Sequence, residues 1–201
     1  MWGVASWPVT LEYGPVILRP LKNRDKQSWQ EVRARNRDWL QPWDATNPQP
    51  SLGLPSFREM VRSLNEQARA GSALPFAITV RDDDGVARFA GQLTVSNIIW
   101  GSAMMATAGY WVDRARAGQG IVPAALAMAT DHCFQSLGLH RMEINIRPEN
   151  GPSLRVAEKL GFRDEGIRKR YLHINGDWAD HRSFALTAEE VPGGLLSRLG
   201  Y

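Results

Sequence analysis

The chain contains one cysteine, Cys133, among 201 residues. An internal disulfide is therefore impossible, which fits a reducing cytosol and sets the expectation of a cytoplasmic protein. The four histidines, His132, His140, His173 and His181, are scattered, and no Cys/His spacing reads as a zinc site. No apolar run approaches the roughly 20 residues that a membrane helix needs, so no membrane role is expected. Met1 to Thr10 lacks a basic stretch followed by an apolar core, so no signal peptide is expected either. A Gly-x-x-x-x-Gly-Lys-Ser/Thr loop is absent, which excludes a P-loop. Internal repeats and a domain linker are absent too. The net charge is only +3, with a pI of about 9.3. That suits an anionic ligand or docking on a nucleic-acid-rich particle, and is too small for direct nucleic-acid readout.

What is present is an ordinary globular balance, with 43% hydrophobic and 22% charged residues, long enough for one domain with a real core. The stretch around which the chain is organised is Asp113-Arg-Ala-Arg-Ala117-Gly118-Gln119-Gly120-Ile121-Val122-Pro123. It follows a strand-like run, Ala108 to Val112, and precedes a helical run, Ala124 to Leu137. The glycines thus sit at a strand-to-helix junction. N–H groups at a helix start are unpaired and partly positive, and glycine lets a ligand approach them, so the junction can cradle phosphate. An ordinary tight turn is the alternative. Pro123 stands where a dinucleotide fingerprint requires Gly or Ala.

The remaining pattern reads in order. Val16 to Leu18 is a short strand; residues 22 to 40 are a polar helix; Gln41 to Pro55, with four prolines, is a loop. Ser56 and Glu59 form a capping box for a helix ending near Gly71. Phe76 to Val80 alternates as a strand, Asp82 to Gly85 turns, and Val86–Trp100 and Met104–Val112 are strands. The helix after the glycine loop buries Val122, Leu126, Ala129, Cys133 and Leu137. Asp131-His132-Cys133 has a catalytic composition, but adjacent helix residues point in different directions, and Cys133 reads as core. His140 to Arg147 is a strand with Glu143 and Asn145 on one face. A short helix follows from Asn150 to Gly161, then a hairpin across Asn175-Gly176-Asp177. Residues 188–201 are a Gly-containing tail. The expected architecture is a single α+β domain over 1–201, with a mixed, mostly antiparallel sheet of about seven strands and about four helices.

This order resembles the GNAT acetyltransferase superfamily. The motifs are Gly109-Tyr-Trp-Val-Asp113, Ala117-Gly-Gln-Gly-Ile-Val122, Arg147-Pro-Glu-Asn150, Ser153, Ala157-Glu-Lys-Leu-Gly-Phe162 and Asp180-His181. With Trp39-Leu-Gln-Pro-Trp43 they are similar to the RimJ/RimL-type ribosomal-protein N-terminal acetyltransferases, over about residues 10 to 188. The loop departs from the family pattern in carrying Ala117 at its first position. Ala157 stands where many relatives have an acidic tyrosine. Leu172 stands where RimL-like enzymes place a carboxylate base.

The resemblance implies acetyl-CoA as co-substrate and direct attack of an amine on the thioester. Pantetheine would pair along Trp111, Val112 and Asp113; pyrophosphate would sit on the amides of Gly118 to Val122; Asn150 and Ser153 would complete the cofactor site. The Val112 N–H is a candidate oxyanion donor. Ser153 is the candidate donor to the leaving thiolate, or a helix cap. Glu143 is the candidate base, or else a partner of Arg141 or Arg147; Tyr171 and His173 are further candidates for that role. Trp39 and Trp43, with Tyr171, are the expected acceptor contacts, the two tryptophans alternatively being a lid on the core. The implied acceptor is a protein N-terminus, on a ribosomal protein or the ribosome, or a small amine. A catalytically silent acyl-CoA-binding module is a third possibility, and the assembly is a monomer or homodimer.

Overall fold

Strand β3 (Leu74–Arg81) lies in the middle of the fold and shows how its two sides are made. Leu74, Phe76, Ile78 and Val80 join the main core, while Ala77 joins a second cluster with Leu21, Phe57 and Val61. A strand turns alternate side chains to opposite faces, so one sheet has an apolar layer on each side. Phe76 is fully buried, a burial that stabilises by about 2–3 kcal/mol.

The computed structural model describes residues 7–49, 53 and 55–200. The stretch 1–6 read for a signal peptide, part of the proline-rich loop and Tyr201 lie outside the described residues. The other strands are β1 (Leu11–Tyr13), β2 (Val16–Pro20), β4 (Ala87–Ile99), β5 (Met105–Val112), β6 (Arg141–Ile146), β7 (Arg163–Ile174) and β8 (Asp177–Thr187). The helices are α1 (Lys26–Arg35), α2 (Arg37–Leu40), α3 (Phe57–Arg69), α4 (Ile121–Asp131) and α5 (Gly151–Leu160). The sheet runs β1-β2-β3-β4-β5-β6-β8-β7, and every described pair is antiparallel except β5 with β6. The α+β architecture stands. The short β1 escapes a sequence reading because its three residues are too few to show a period.

Local signals account for most boundaries. The Ser56–Glu59 capping box starts α3, and Gly161 ends α5 in the left-handed region. The helix expected over 22–40 breaks at Asn36, whose side chain donates to Val32 O and Asp113 Oδ1, each at 2.8 Å, and accepts from the Arg114 N–H at 2.9 Å. A side chain that competes for backbone groups interrupts the helix. Helix α4 is buried along nearly its whole length, which its alanines permit by allowing close approach to the sheet. It continues into a wider turn, His132–Ser136, where Cys133 is buried in the core and its thiol is pushed up to about 12 by burial. The expected tail is folded: Asp131 accepts from the Leu195 and Leu196 N–H groups at 2.5 and 3.0 Å, and Leu195 is fully buried.

The parallel pair positions the site. β5 and β6 pair only at Met105↔Arg141, Ala106↔Met142 and Thr107↔Glu143. Beyond Thr107 the two strands carry no cross-pairs, so Ala108–Val112 presents an open backbone edge.

Candidate active site

A cleft of about 750 Å³ occupies the gap where β5 and β6 part. Its floor is Gln92, Thr94 and Ser96 of β4, and one wall is Gly109 to Val112. The start of α4 and the start of α5 close a second side, and residues 38–45 cover one end.

The wall follows from strand hydrogen bonding. The Asp113 N–H donates to Ala90 O at 2.7 Å, across β4. N–H groups on an antiparallel strand alternate in direction, so the Val112 N–H points away from β4, toward the gap. That is the orientation an oxyanion donor there requires.

The glycine loop supplies the second wall. Gly118 and Gly120 have φ of 78° and 77°, the left-handed region that glycine adopts without strain. Gly120 is the residue before the first turn of α4. Among the described residues, the backbone N–H groups of Gly118, Gln119, Gly120, Ile121 and Val122 donate to no protein acceptor; the first bond of this helix runs from the Ala124 N–H to Gly120 O at 3.1 Å. Pro123 has no N–H to leave unpaired. A row of free donors at a helix start suits an anionic phosphate. Arg155 and Lys159 on α5 line the same cleft and form no ion pair among the described residues, whereas Arg116 is held by Asp82 at 2.7 Å.

Of the residues expected at the cofactor, Trp111, Val112, Ala117, Gly118, Gly120, Ile121, Val122, Asn150 and Ser153 line the cleft. Asp113 does not. It is buried and bonded to Arg35 and Asn36, fixing α1 and α2 to the end of β5. Gln119 turns back to Ala115 O at 3.1 Å. Asn150, not Ser153, caps α5: its Oδ1 accepts from the Ser153 N–H at 3.2 Å, leaving the serine hydroxyl free of that task.

Glu143 is not among the cleft-lining residues. Its carboxylate accepts from Arg141 Nε at 2.8 Å and Arg168 Nη2 at 3.1 Å and is buried. Glu143 is thus held by two guanidinium groups away from the cleft lining, where a base acting on a bound amine would have to stand. Tyr171 also lies off the cleft, 6.0 Å from the His181 ring and beneath the Arg168 guanidinium. His173 bonds Thr46 Oγ1 at 2.8 Å and stitches residues 44–46 to the β7–β8 turn. Trp39 and Trp43 both line the cleft, under Arg114 and Arg147 respectively.

Sequence reasoning missed Tyr110. Its neighbour Trp111 packs on the other sheet face against Trp29 and Phe89, so alternation puts Tyr110 on the α4–α5 side. That alternation was the available signal. Gln92, Thr94 and Ser96 share the Trp111 face of β4, where Gln92 Oε1 accepts from Trp29 Nε1 at 3.0 Å.

The acetyltransferase (GNAT) domain family matches residues 16–163. The chain therefore belongs to the GNAT acetyltransferase family and is an N-acetyltransferase with acetyl-CoA as acyl donor. It is 31% identical to the probable N-acetyltransferase YjcK of Bacillus subtilis (strain 168), over 85% of this chain and 93% of that protein. It is 30% identical to the ribosomal protein uS5 alanine N-acetyltransferase of Escherichia coli (strain K12), over 92% of this chain and 94% of the other. Mycobacterium smegmatis RimJ, solved in complex with CoA-disulfide, superposes with a TM-score of 0.86 at 41% identity, over 96% of this chain and 94% of that one.

Proposed function

We propose that this chain transfers the acetyl group of acetyl-CoA to the N-terminal α-amine of a protein, a ribosomal protein first among candidates, in the cytoplasm. The observation that carries the reading is the row of free N–H groups from Gly118 to Val122, in a loop that lines the cleft. Those amides hold the pyrophosphate, with Arg155 and Lys159 adding positive charge at the same mouth. The open edge of β5 holds the pantetheine arm. Val112 N–H donates to the carbonyl oxygen as it gains charge. Ser153 Oγ–H donates to the departing sulfur.

No strong base is needed. An α-amine has a pKa of about 7.7–8.0 against about 10.4 for lysine, so a useful neutral fraction exists near neutral pH. This matches a cleft from which Glu143 is withdrawn. Support for a protein acceptor comes from the likeness to the uS5 alanine enzyme and to RimJ, and from Trp39, Pro42 and Trp43 at the acceptor end of the cleft.

Calorimetry with acetyl-CoA, and with NAD and ATP as controls, tests the donor site. Peptides beginning with alanine or serine, set against polyamines, free amino acids and aminoglycosides, test the acceptor by mass spectrometry. Acetylation at the peptide N-terminus is expected. Turnover of small amines alone would overturn the protein-acceptor reading, and binding without any turnover would make the chain a silent acyl-CoA-binding module.

A further inference from the structure

Three side-chain polar atoms among the described residues are buried without a hydrogen-bond partner: Tyr110 Oη, Thr130 Oγ1 and Arg147 Nε. Thr130 lies inside α4, in the core. Arg147 Nε has a charge partner, Glu149 Oε2, 3.2 Å away though poorly aligned. Tyr110 is the one of the three that lines the cleft. A buried, unpaired hydroxyl costs stability, and phenylalanine would fill nearly the same volume without that cost.

Ser153 lines the same cleft, and its hydroxyl is the side-chain group that acts on this phenol. Burial pushes the Tyr110 phenol up to about 12, and the nearby Ser153 hydroxyl opposes that rise. The two groups do not meet hydrogen-bond geometry in the free protein. Near neutral pH the phenol is uncharged, so it is a donor and not a base. The Ser153 hydroxyl is not used as the cap of α5, since Asn150 does the capping.

We propose that Tyr110 is a positioning residue for acetyl transfer, donating its O–H to Ser153 Oγ so that the serine O–H is turned toward the departing sulfur. The inference rests on the acetyltransferase reading of the cleft. Donation to Ser153 also polarises its O–H and strengthens the bond it gives. In the step, a C–N bond forms and the C–S bond breaks, with its electron pair going to sulfur. The amine nitrogen releases one proton and the thiol finally carries one. Both hydroxyls end as they began. The phenol from β5 thus supplies, through Ser153, a hydroxyl that α5 lacks at Ala157, which is fully buried.

The test uses the full chain with Tyr110→Phe, Ser153→Ala and the double variant, and a peptide with N-terminal alanine as acceptor. Acetyl-CoA binding by the wild type is measured first; its absence would sink the cleft reading itself, separately from this inference. Tyr110→Phe should keep or raise the melting temperature and keep the acetyl-CoA affinity while kcat falls about tenfold, the size of one hydrogen bond. The double variant should be no slower than Ser153→Ala alone. A readout free of turnover is the NMR resonance of Tyr110 labelled with 13C at Cζ. On adding CoA it should move in the wild type and stay in Ser153→Ala. A lowered melting temperature with unchanged kcat, multiplied losses in the double variant, or an equal NMR shift in both proteins would each overturn the proposal.

Discussion

The Arg147 guanidinium stands 5.7 Å from the centre of the Trp43 ring and donates from Nη1 to Pro42 O at 3.0 Å. Arg147 follows β6, and Trp43 belongs to the segment covering one end of the cleft, so the pair ties that segment to the end of β6. A cation over an aromatic ring and one hydrogen bond together are worth about 1–2 kcal/mol. Arg147→Ala should therefore raise the acceptor KM about tenfold, with acetyl-CoA affinity unchanged. Steady-state kinetics on a peptide acceptor, paired with calorimetry, measures both. An equal loss in both constants would mean that the clasp supports the whole cleft.

Gly120 separates strain from blockage. A Cβ at this position meets nothing within 4 Å, yet its φ is +77°. Gly120→Ala should cost about 1–2 kcal/mol from the left-handed conformation alone, with acetyl-CoA still bound. Gly120→Glu places a negative charge beside the free amides, and acetyl-CoA binding should fall below detection. Retained affinity in the glutamate variant would remove the loop from the pyrophosphate site.

Gly91 is constrained differently. A Cβ there would lie 2.2 Å from Trp111 O and 2.9 Å from Val112 Cα, both backbone atoms of β5. It stands beside an irregularity in the β3–β4 register, where Ile78 pairs with Gly91 and Thr79 with Phe89. Gly91→Ala must push the donor wall of the cleft aside. The expected cost is about 1–3 kcal/mol, seen as a melting-temperature drop of about 2–4 °C per kcal/mol, together with weaker acetyl-CoA binding. A normal melting temperature would show that β5 shifts freely.

Acid should loosen the attachment of α1 to β5. Burial raises the Asp113 pKa, but its bonds to Arg35, Asn36 and the Ala115 N–H outweigh this and hold it below the ordinary carboxylate value. A depressed carboxylate contributes stability above its unfolded pKa of about 3.9, lost as pH falls through the lower folded value. The wild type should thus be more stable than Asp113→Asn by about 1 kcal/mol above pH 4, and the gap should close as the pH drops below that. Denaturant melts across the range check this. A gap that persists in strong acid would mean the difference is packing and not charge.

Much of the fold was legible because its signals act over a few residues. The Ser56–Glu59 box, the glycine after α5, the Asn175-Gly176 turn and the strand-to-helix glycine loop each depend on neighbours in sequence. The same locality explains why the free N–H groups of the glycine loop could be read: they are a property of any helix start.

The catalytic detail required distant partners. Glu143 reads as a base on its strand, but the β7–β8 hairpin brings Arg168 to it and completes its pairing with Arg141. Asp113 reads as a cofactor residue, but the chain brings Asn36 and Arg35 against it.

The sequence by itself determined the element types, the strand-to-helix glycine loop and the family of chemistry, since these follow from backbone conformation and short spacings. Only the tertiary structure decided which polar side chains reach the cleft, that Tyr110 stands beside Ser153, and that Glu143 is withdrawn. Those outcomes depend on sheet order and on where β5 and β6 part, and no local propensity encodes the distance between residues that meet only when the sheet closes.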